Sequence, residues 1–292
     1  MCSSDLRLKL NTWLTKEHII RTKIVPFFGP KRMCDISPKD VVDWQNKMVG
    51  SYDDEGKPYS GTYLRTINNQ LSAIFNHAVK YYGLGKSPAA PTIKIGERQG
   101  SEMKFWTKEQ YLAFSEEVMD KPASFYAFEI LYWCGLRVGE LLALEPNDID
   151  LGKCLIHVTK SYQRIRRRDV ITSPKTPKSK RDVVMPEFLA DELADFLGSI
   201  PEERRACRIF CFTKSYLHHE MKRGCAACGL EPIRIHDLRH SHVSLLIEMG
   251  FSAIAIADRL GHETYEMTLR YAHLFPSKQS DMAAALDQRR RP

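Results

Sequence analysis

The stretch LGHETYEMTLRYAHLF, residues 260–275, carries two tyrosines, Tyr265 and Tyr271, and two histidines, His262 and His273. Locally it reads as a glycine turn leading into a helix, with Thr264 as the expected N-cap. Met267, Tyr271 and Leu274 recur at i, i+4 and i+7, the spacing of one buried helical face. Taken alone, this makes Tyr271 a half-buried core tyrosine. Whether it is instead a reagent depends on what stands elsewhere in the chain.

The 292 residues suffice for two ordinary domains, and 43% hydrophobic with 27% charged content is that of a soluble globular protein. No apolar run approaches the roughly 20 residues of a membrane span, so no membrane partner is expected. The opening MCSSDLRLKL has no apolar core of a secretory signal, and a cytoplasmic location is expected. The net charge of +7 is concentrated in patches, densest in RIRRR (164–168) and KTPKSKR (175–181). Such patches point to a polyanion, nucleic acid first, although basicity alone also fits a merely solvated face.

Eight cysteines without a secretory signal imply reduced thiols. Cys207, Cys211, Cys225 and Cys228, with His218 and His219 between them, invite a zinc reading. Their spacing matches no common zinc finger, so small buried thiols, no metal and no cofactor are expected. RIFCF (208–212) reads as a buried strand. HHEMKRGCAACGL (218–230) reads as a helix that ends at Gly229.

The first ninety-odd residues have helical periodicity. TWLTKEHIIRTKIVPFFG (12–29) is expected to stop at Pro26 and Gly29, and SPKDVVDWQNKMVG (37–50) opens on a Ser37 cap with Pro38 in the first turn. YSGTYLRTINNQLSAIFNHAVKYYG (59–83) is the longest amphipathic helix. Leu64, Ile67, Leu71, Ile74 and Val79 are expected on its buried face, with Arg65, Asn68, Asn69, Asn76 and Lys80 outside it. Residues 93–104 carry prolines and glycines nearby without helical period and read as a linker. From Phe105 come helices near 108–119 and 123–133. KCLIHVTKSYQ (153–163) and RRDVITSPKTPKSKRDVVMP (167–186) then read as a hairpin with a basic tip, and further helices follow. The expected fold is mostly α with a small antiparallel sheet: a helical domain at 1–92, the linker, and a larger α+β domain at 105–292.

Four sites stand beside the opening stretch. Arg137 follows a CG turn in CGLRVGELLAL (134–144). Lys175 lies at the basic hairpin. HDLRHSHVSLLIEMG (236–250) sets His236 and Arg239 three apart, on one helical face. Taken singly, each has an ordinary explanation: Arg137 partners Glu140, Lys175 is a solvated turn residue, and His236 opens a helix. Tyr265 lies six residues from Tyr271, roughly 120° around a helix, and is read as structural. His240 and His273 are assigned packing or solvent roles.

In order, Arg137, Lys175, His236-x-x-Arg239, Gly261-His262 and Tyr271 resemble the tyrosine recombinase (phage integrase) family, and the resemblance covers nearly the whole chain. Tyr271 follows His262 by nine positions (271 − 262), as in that family. The resemblance implies a DNA-cutting and rejoining enzyme with an N-terminal core-type DNA-binding domain and a catalytic domain. It implies that Tyr271 attacks a phosphodiester and leaves a 3′-phosphotyrosyl bond with a free 5′-hydroxyl. Arg137 and Arg239 would grip the non-bridging oxygens, and His236 and His262 would assist by hydrogen bonding and proton transfer. Lys175 would protonate the departing 5′ oxygen.

The residue chemistry suits those roles. A phenol of pKa near 10 is mostly protonated at neutral pH and needs cations and a proton acceptor. A guanidinium fork matches two phosphate oxygens and can carry charge that many nucleases assign to a metal. Exchange of one phosphodiester for another requires no ATP. Arg65, Lys80, Arg164, Arg166 and Lys178 are the expected further DNA contacts.

Expected partners are double-stranded recombination sites and further copies of the chain, assembled as a tetramer through the tail PSKQSDMAAALDQRRRP (276–292). An excisionase or a host DNA-bending protein is a further expected partner. The style of the N-terminal region and RYAHLFPSKQ (270–279) looks like integrases of phages and integrative conjugative elements. A resolvase of the same family, a type IB topoisomerase and a non-cutting DNA-binding relative are the alternatives. Family members usually carry an arm-type DNA-binding domain and a further helix before the NTWLTKEHII region, and neither is recognised here. MCSSDL back-translates to a common sequencing-adapter sequence, so the reading frame is expected to be truncated, with residues 1–6 not native.

Overall fold

The computed structural model describes residues 8–97, 103–174, 177–204, 207–264, 266–269 and 271. The chain divides into two compact units, Met1–Glu102 and Met103–Pro292.

In the first unit, α1 (Leu10–Ile19) runs through a π turn at Ile20–Ile24 into α2 (Val25–Phe28). Pro26 therefore does not stop the helix. The π turn carries the Val25 N–H to the Ile20 carbonyl, and Pro26 then falls in the first turn of α2, where a missing N–H costs little. α3 (Pro38–Val49) begins on the expected Ser37 cap, closed reciprocally by Asp40. α4 (Gly61–Tyr81) begins on Ser60, which accepts from the Tyr63 N–H.

The core gathers Ile19, Phe28, Val41, Trp44, Leu64, Ile67, Leu71 and Phe75. On α4, Phe75 and Ala78 are buried in place of the expected Val79, which faces solvent. Asn68 is also buried, contrary to its polarity. Its side-chain carbonyl accepts from Gln45 Nε2 at 2.8 Å, which removes the penalty of an unpaired amide. Gln45 Nε2 donates as well to the Ile93 carbonyl at 2.9 Å, while Ile95 packs on the core. Residues 93–97 are thus fastened to the first unit, not free linker.

In the second unit, α5 (Lys108–Glu116) starts on a Thr107–Gln110 capping box. α6 (Pro122–Trp133) and the short α7 (Val138–Leu141) follow. The strands are β1 (Ile149–Asp150), β2 (Leu155–Val158), β3 (Ser161–Ile165), β4 (Arg168–Thr172) and β5 (Arg181–Val184). They form two antiparallel sheets, β1-β2-β5 and β3-β4, in place of the single hairpin expected. The split occurs because 153–163 is two strands, and β3 turns directly into β4. Arg166 and Arg167 make that turn with φ of 48° and 64°, the left-handed pair that two-residue hairpins require.

Helices α8 (Glu187–Gly198), α9 (Lys214–Cys228), α10 (Asp237–Glu248), α11 (Ala253–Leu260) and α12 (Glu266–Leu269) complete the unit. α9 ends on left-handed Gly229, as its sequence suggests. The expected strand at 208–212 is absent. Arg208 Nη1 donates to the Leu142 and Phe210 carbonyls at 2.9 and 2.8 Å, occupying acceptors that a neighbouring strand would use. Phe210 is buried in the core beside Leu217 and Met221. Cys225 is buried as expected, but Cys207 and Cys211 are exposed. Among the described residues, no helix is long and apolar enough to cross a membrane.

α6 packs against α10 through a close approach at Gly135. Its φ is +64°, and a Cβ there would lie 2.5 Å from the His242 ring and 3.0 Å from Leu260. Gly135→Ala is expected to destabilise the second unit by roughly 2–4 kcal/mol, combining left-handed strain with overpacking. A urea midpoint close to that of the parent protein would contradict this.

His242, fully enclosed on α10, accepts from Arg259 Nε at 3.1 Å. Burial, with Arg259 and Arg239 behind it, pushes its pKa down to about 3. The unfolded chain takes up this proton near 6.5 and the folded chain does not, so stability present at neutral pH is lost as pH falls from about 6.5 toward about 3. His242→Gln keeps an acceptor for Arg259. It is expected to reduce the pH slope of unfolding free energy between pH 6 and 4 by about 1.4 kcal/mol per pH unit, one proton's worth. Denaturant unfolding across that range measures it.

Candidate active site

The site is assembled around a carboxylate. Glu140, on α7, is 3% exposed, and Arg137 caps the same helix. Arg137 donates from Nη1 to Glu140 Oε1 at 2.7 Å and from its backbone N–H to Oε2 at 3.0 Å. Arg181, at the start of β5, donates from Nη2 to Oε2 at 3.0 Å and from Nη1 to Oε1 at 3.3 Å. Burial alone would raise the Glu140 pKa, but Arg181 and Arg137 outweigh it, and the net shift is downward. The carboxylate is charged and fixes two guanidinium groups in register.

Arg181 also donates from Nε to the Arg259 carbonyl at 3.0 Å, which ties β5 to the end of α11. α11 ends on left-handed Gly261. A Cβ on Gly261 would stand 2.7 Å from the Lys178 carbonyl and 2.9 Å from Arg181 Cδ, so glycine is what admits this contact.

Arg239 projects from α10 and is 4% exposed. It donates to the Gly135 carbonyl at 2.6 Å and to the Leu260 carbonyl at 2.7 Å. Burial, with Arg137 and Arg181 nearby, lowers its pKa to about 9, which leaves it charged at neutral pH. His236 caps α10 with its side chain still exposed. Surrounding protein, His240, Arg239 and Arg137 push its pKa down to about 4. His262 follows Gly261 and is buried, its Nδ1 2.8 Å from the Thr268 hydroxyl of α12. Burial, then Arg239, Arg137 and Arg181, hold His262 down at about 3. Both histidines are neutral at neutral pH. The Thr268 hydroxyl can donate to Nδ1, an arrangement that puts the His262 hydrogen on Nε2.

Tyr271 is 4% exposed and packs with Val243, Ile247, Ile256 and Leu260. Its hydroxyl is hydrogen-bonded to His240 Nδ1. The core reading and the reagent reading of Tyr271 are therefore not exclusive: the ring is packed while the hydroxyl turns toward a polar group. His240 thus departs from the packing or solvent role that its sequence suggests.

Arg137, His236, Arg239, His262 and Tyr271 come together in the second unit, since Arg239 senses the charge of Arg137 and Tyr271, and His262 that of both arginines and His236. Lys175, Tyr265 and the tail from residue 272 lie outside the described residues. Glu140, Arg181 and Thr268 belong to the site without standing out in the sequence. The Arg-x-x-Glu spacing shows only an ion pair, and Arg181 is one cation in a crowded basic run.

The remaining basic candidates are scattered. Arg164 pairs with Asp169 at 3.6 Å, Arg166 sits at the β3–β4 tip, and Lys178 reaches the Glu263 carbonyl at 3.5 Å. Arg65 is half-buried with its guanidinium 3.5 Å from the Gly96 carbonyl, and Lys80 is exposed at the end of α4.

The model of the Phage integrase family matches residues 104–278, and that of the phage integrase N-terminal SAM-like domain matches residues 3–49. The chain is 31% identical to the ICEBs1 integrase of Bacillus subtilis (strain 168), over 98% of this chain and 80% of that protein. It is 26% identical to the integrase of Mycobacterium phage D29, over 92% of this chain and 71% of that protein. Among solved structures it resembles the Tn1549 transposon integrase in complex with a circular intermediate DNA. That likeness has a TM-score of 0.77 at 20% identity and covers 97% of this chain and 94% of the other. A lambda integrase tetramer bound to a Holliday junction aligns with a TM-score of 0.62 at 20% identity, over 88% of this chain and 73% of that one. The mostly helical fold with small antiparallel sheets is thus that of an integrase, and this chain belongs to the phage integrase family, the tyrosine-type site-specific recombinases.

Proposed function

We propose that this recombinase serves a phage or an integrative element, cutting and rejoining double-stranded DNA at a specific site through Tyr271. The observation that carries the reading is the cluster of Arg137 and Arg239 beside a buried Tyr271, with Glu140 and Arg181 holding the first arginine in place. Two guanidinium groups beside a phenol suit a phosphodiester whose charge grows as a fifth oxygen approaches phosphorus. The phenol oxygen forms the new bond to phosphorus, and the 5′ oxygen leaves with its electron pair. Neutral His262 and His236 are suited to donate hydrogen bonds to phosphate oxygens rather than to add fixed charge. Lys175 is assigned the proton for the 5′ oxygen. Assembly as a tetramer through residues 276–292, and DNA contacts by Arg65, Lys80, Arg164, Arg166 and Lys178, belong to the same reading.

Tyr271→Phe is expected to bind the site with unchanged affinity and to form no covalent adduct on nicked duplexes carrying the crossover sequence. Adducts from Tyr271→Phe, with none from Tyr265→Phe, would move the nucleophile.

Lys175 is tested through its leaving group. An alkoxide needs a proton as it departs, whereas a bridging thiolate needs little help. Lys175→Ala is expected to lose on the order of 10²-fold or more in cleavage rate on ordinary DNA and to recover most of it when the 5′-bridging atom is sulfur. Arg137→Ala should show no such recovery, because it removes charge stabilisation. Rescue of Lys178→Ala in place of Lys175→Ala would transfer the acid role to Lys178.

A further inference from the structure

The phenol of Tyr271 needs a group to take its proton. The histidines that the family resemblance put forward for proton transfer are poorly suited to it. His262 is committed at Nδ1 to Thr268, and the surrounding protein and the arginines disfavour a charge on either His262 or His236.

His240 stands in a different position. It lies one helical turn beyond His236 on α10, with the two rings edge to face at 5.1 Å. Its ring centroid is 5.6 Å from that of Tyr271, and its Nδ1 meets the phenol oxygen. On the other side of the ring, Nε2 faces Asp237 Oδ1 at 3.8 Å. Asp237 is buried and held in place by Arg234, at 2.8 Å from Nη2 and 3.0 Å from Nε. A hydrogen on Nε2 directed at this carboxylate leaves the Nδ1 lone pair for the phenol. The carboxylate also steadies the ring if it becomes an imidazolium. Carboxylate, imidazole and hydroxyl thus neighbour one another in the order in which a nucleophile is activated in other enzymes.

We propose that His240 is the proton acceptor for Tyr271 during cleavage, with Asp237 as the positioning residue that orients it; this rests on Tyr271 being the nucleophile. As Tyr271 Oη bonds to phosphorus, its hydrogen passes to His240 Nδ1. The bond from phosphorus to the 5′ oxygen breaks with its electron pair on oxygen, which takes a proton from the acid of the site. In rejoining, the 5′-hydroxyl attacks phosphorus and gives its proton back to that acid. The bond from phosphorus to the phenol oxygen breaks with its electron pair on that oxygen, and His240 returns the proton to it. The active site is then restored without a net proton change.

The test uses single-turnover adduct formation by the full chain on a nicked duplex carrying the crossover sequence, recovered from the junction of the circularised element. His240→Asn places an amide oxygen where Nδ1 stood, so it can hold the phenol but cannot take its proton. Its rate is expected to fall on the order of 10²-fold or more with site binding retained. Replacing Tyr271 by 3,5-difluorotyrosine, a phenol that ionises near neutral pH, in the His240→Asn protein should restore most of that loss. The same residue in an Arg239→Ala protein should restore none. A parental rate in His240→Asn, or a slow His240→Asn that the acidic phenol does not rescue, overturns the inference. Adducts formed by Tyr271→Phe would instead overturn the choice of nucleophile. Should His240→Asn fail to bind the duplex, His240→Gln takes its place: a slow rate rescued by the acidic phenol supports the inference, and a parental or unrescued rate overturns it.

Discussion

Glu140 is the interaction on which the catalytic half of the molecule turns. One buried carboxylate is shared between the arginine of its own short helix and the arginine that begins β5. Removal of such a partner from an enclosed Arg181 costs several kcal/mol, commonly about 3–5 for a buried pair. From Arg181 the contacts continue to the Arg259 carbonyl, and from Arg259 to His242 and the Trp133 carbonyl. Arg239 closes the circuit through the Gly135 and Leu260 carbonyls. The ends of α6 and α11 and the edge of the sheet are therefore indexed to one another by charged side chains. Packing alone would leave their relative rotation less well specified.

These contacts tie the described part of the site to several elements at once. Gly135 and Gly261 are left-handed positions at which a methyl group would meet a ring or a backbone carbonyl. Each lets one element approach another closely enough for an arginine to reach across. Tyr271 is anchored by its ring in the cluster of Val243, Ile247, Ile256 and Leu260. A phenol held by an apolar ring contact presents its oxygen with little rotational freedom left to lose.

Much of this is legible in the sequence, and the parts that are not share a cause. Local signals read well: the Ser37 cap, the glycine ends of α9 and α11, and the bulk of α4 follow from capping and periodicity. The ordered set Arg137, His236, Arg239, His262 and Tyr271 is legible because each member sits in a short box of fixed spacing. Long-range polar contacts are not. Nothing local shows that Asn68 is buried against Gln45, that Arg208 replaces a strand neighbour, or that Arg181 rather than its basic neighbours reaches Glu140. His240 is inconspicuous because a histidine beside a buried arginine has no spacing signature. Only the folded geometry brings it to the phenol.

Charge around Arg239 is unevenly balanced. Glu140 answers Arg137 and Arg181, whereas Arg239 and Arg259 are met by carbonyl oxygens and a neutral imidazole. Among the described residues, positive charge around Arg239 is thus undercompensated, and the fold carries an electrostatic tension where it is tightly packed. An oxyanion placed among these groups would relax that tension, and a small anion such as sulfate or phosphate that bound there would stabilise the folded chain by mass action. Thermal resistance would then be a property of the buffer as well as of the chain. A protein built in this way sacrifices ease in isolation for readiness toward a polyanion.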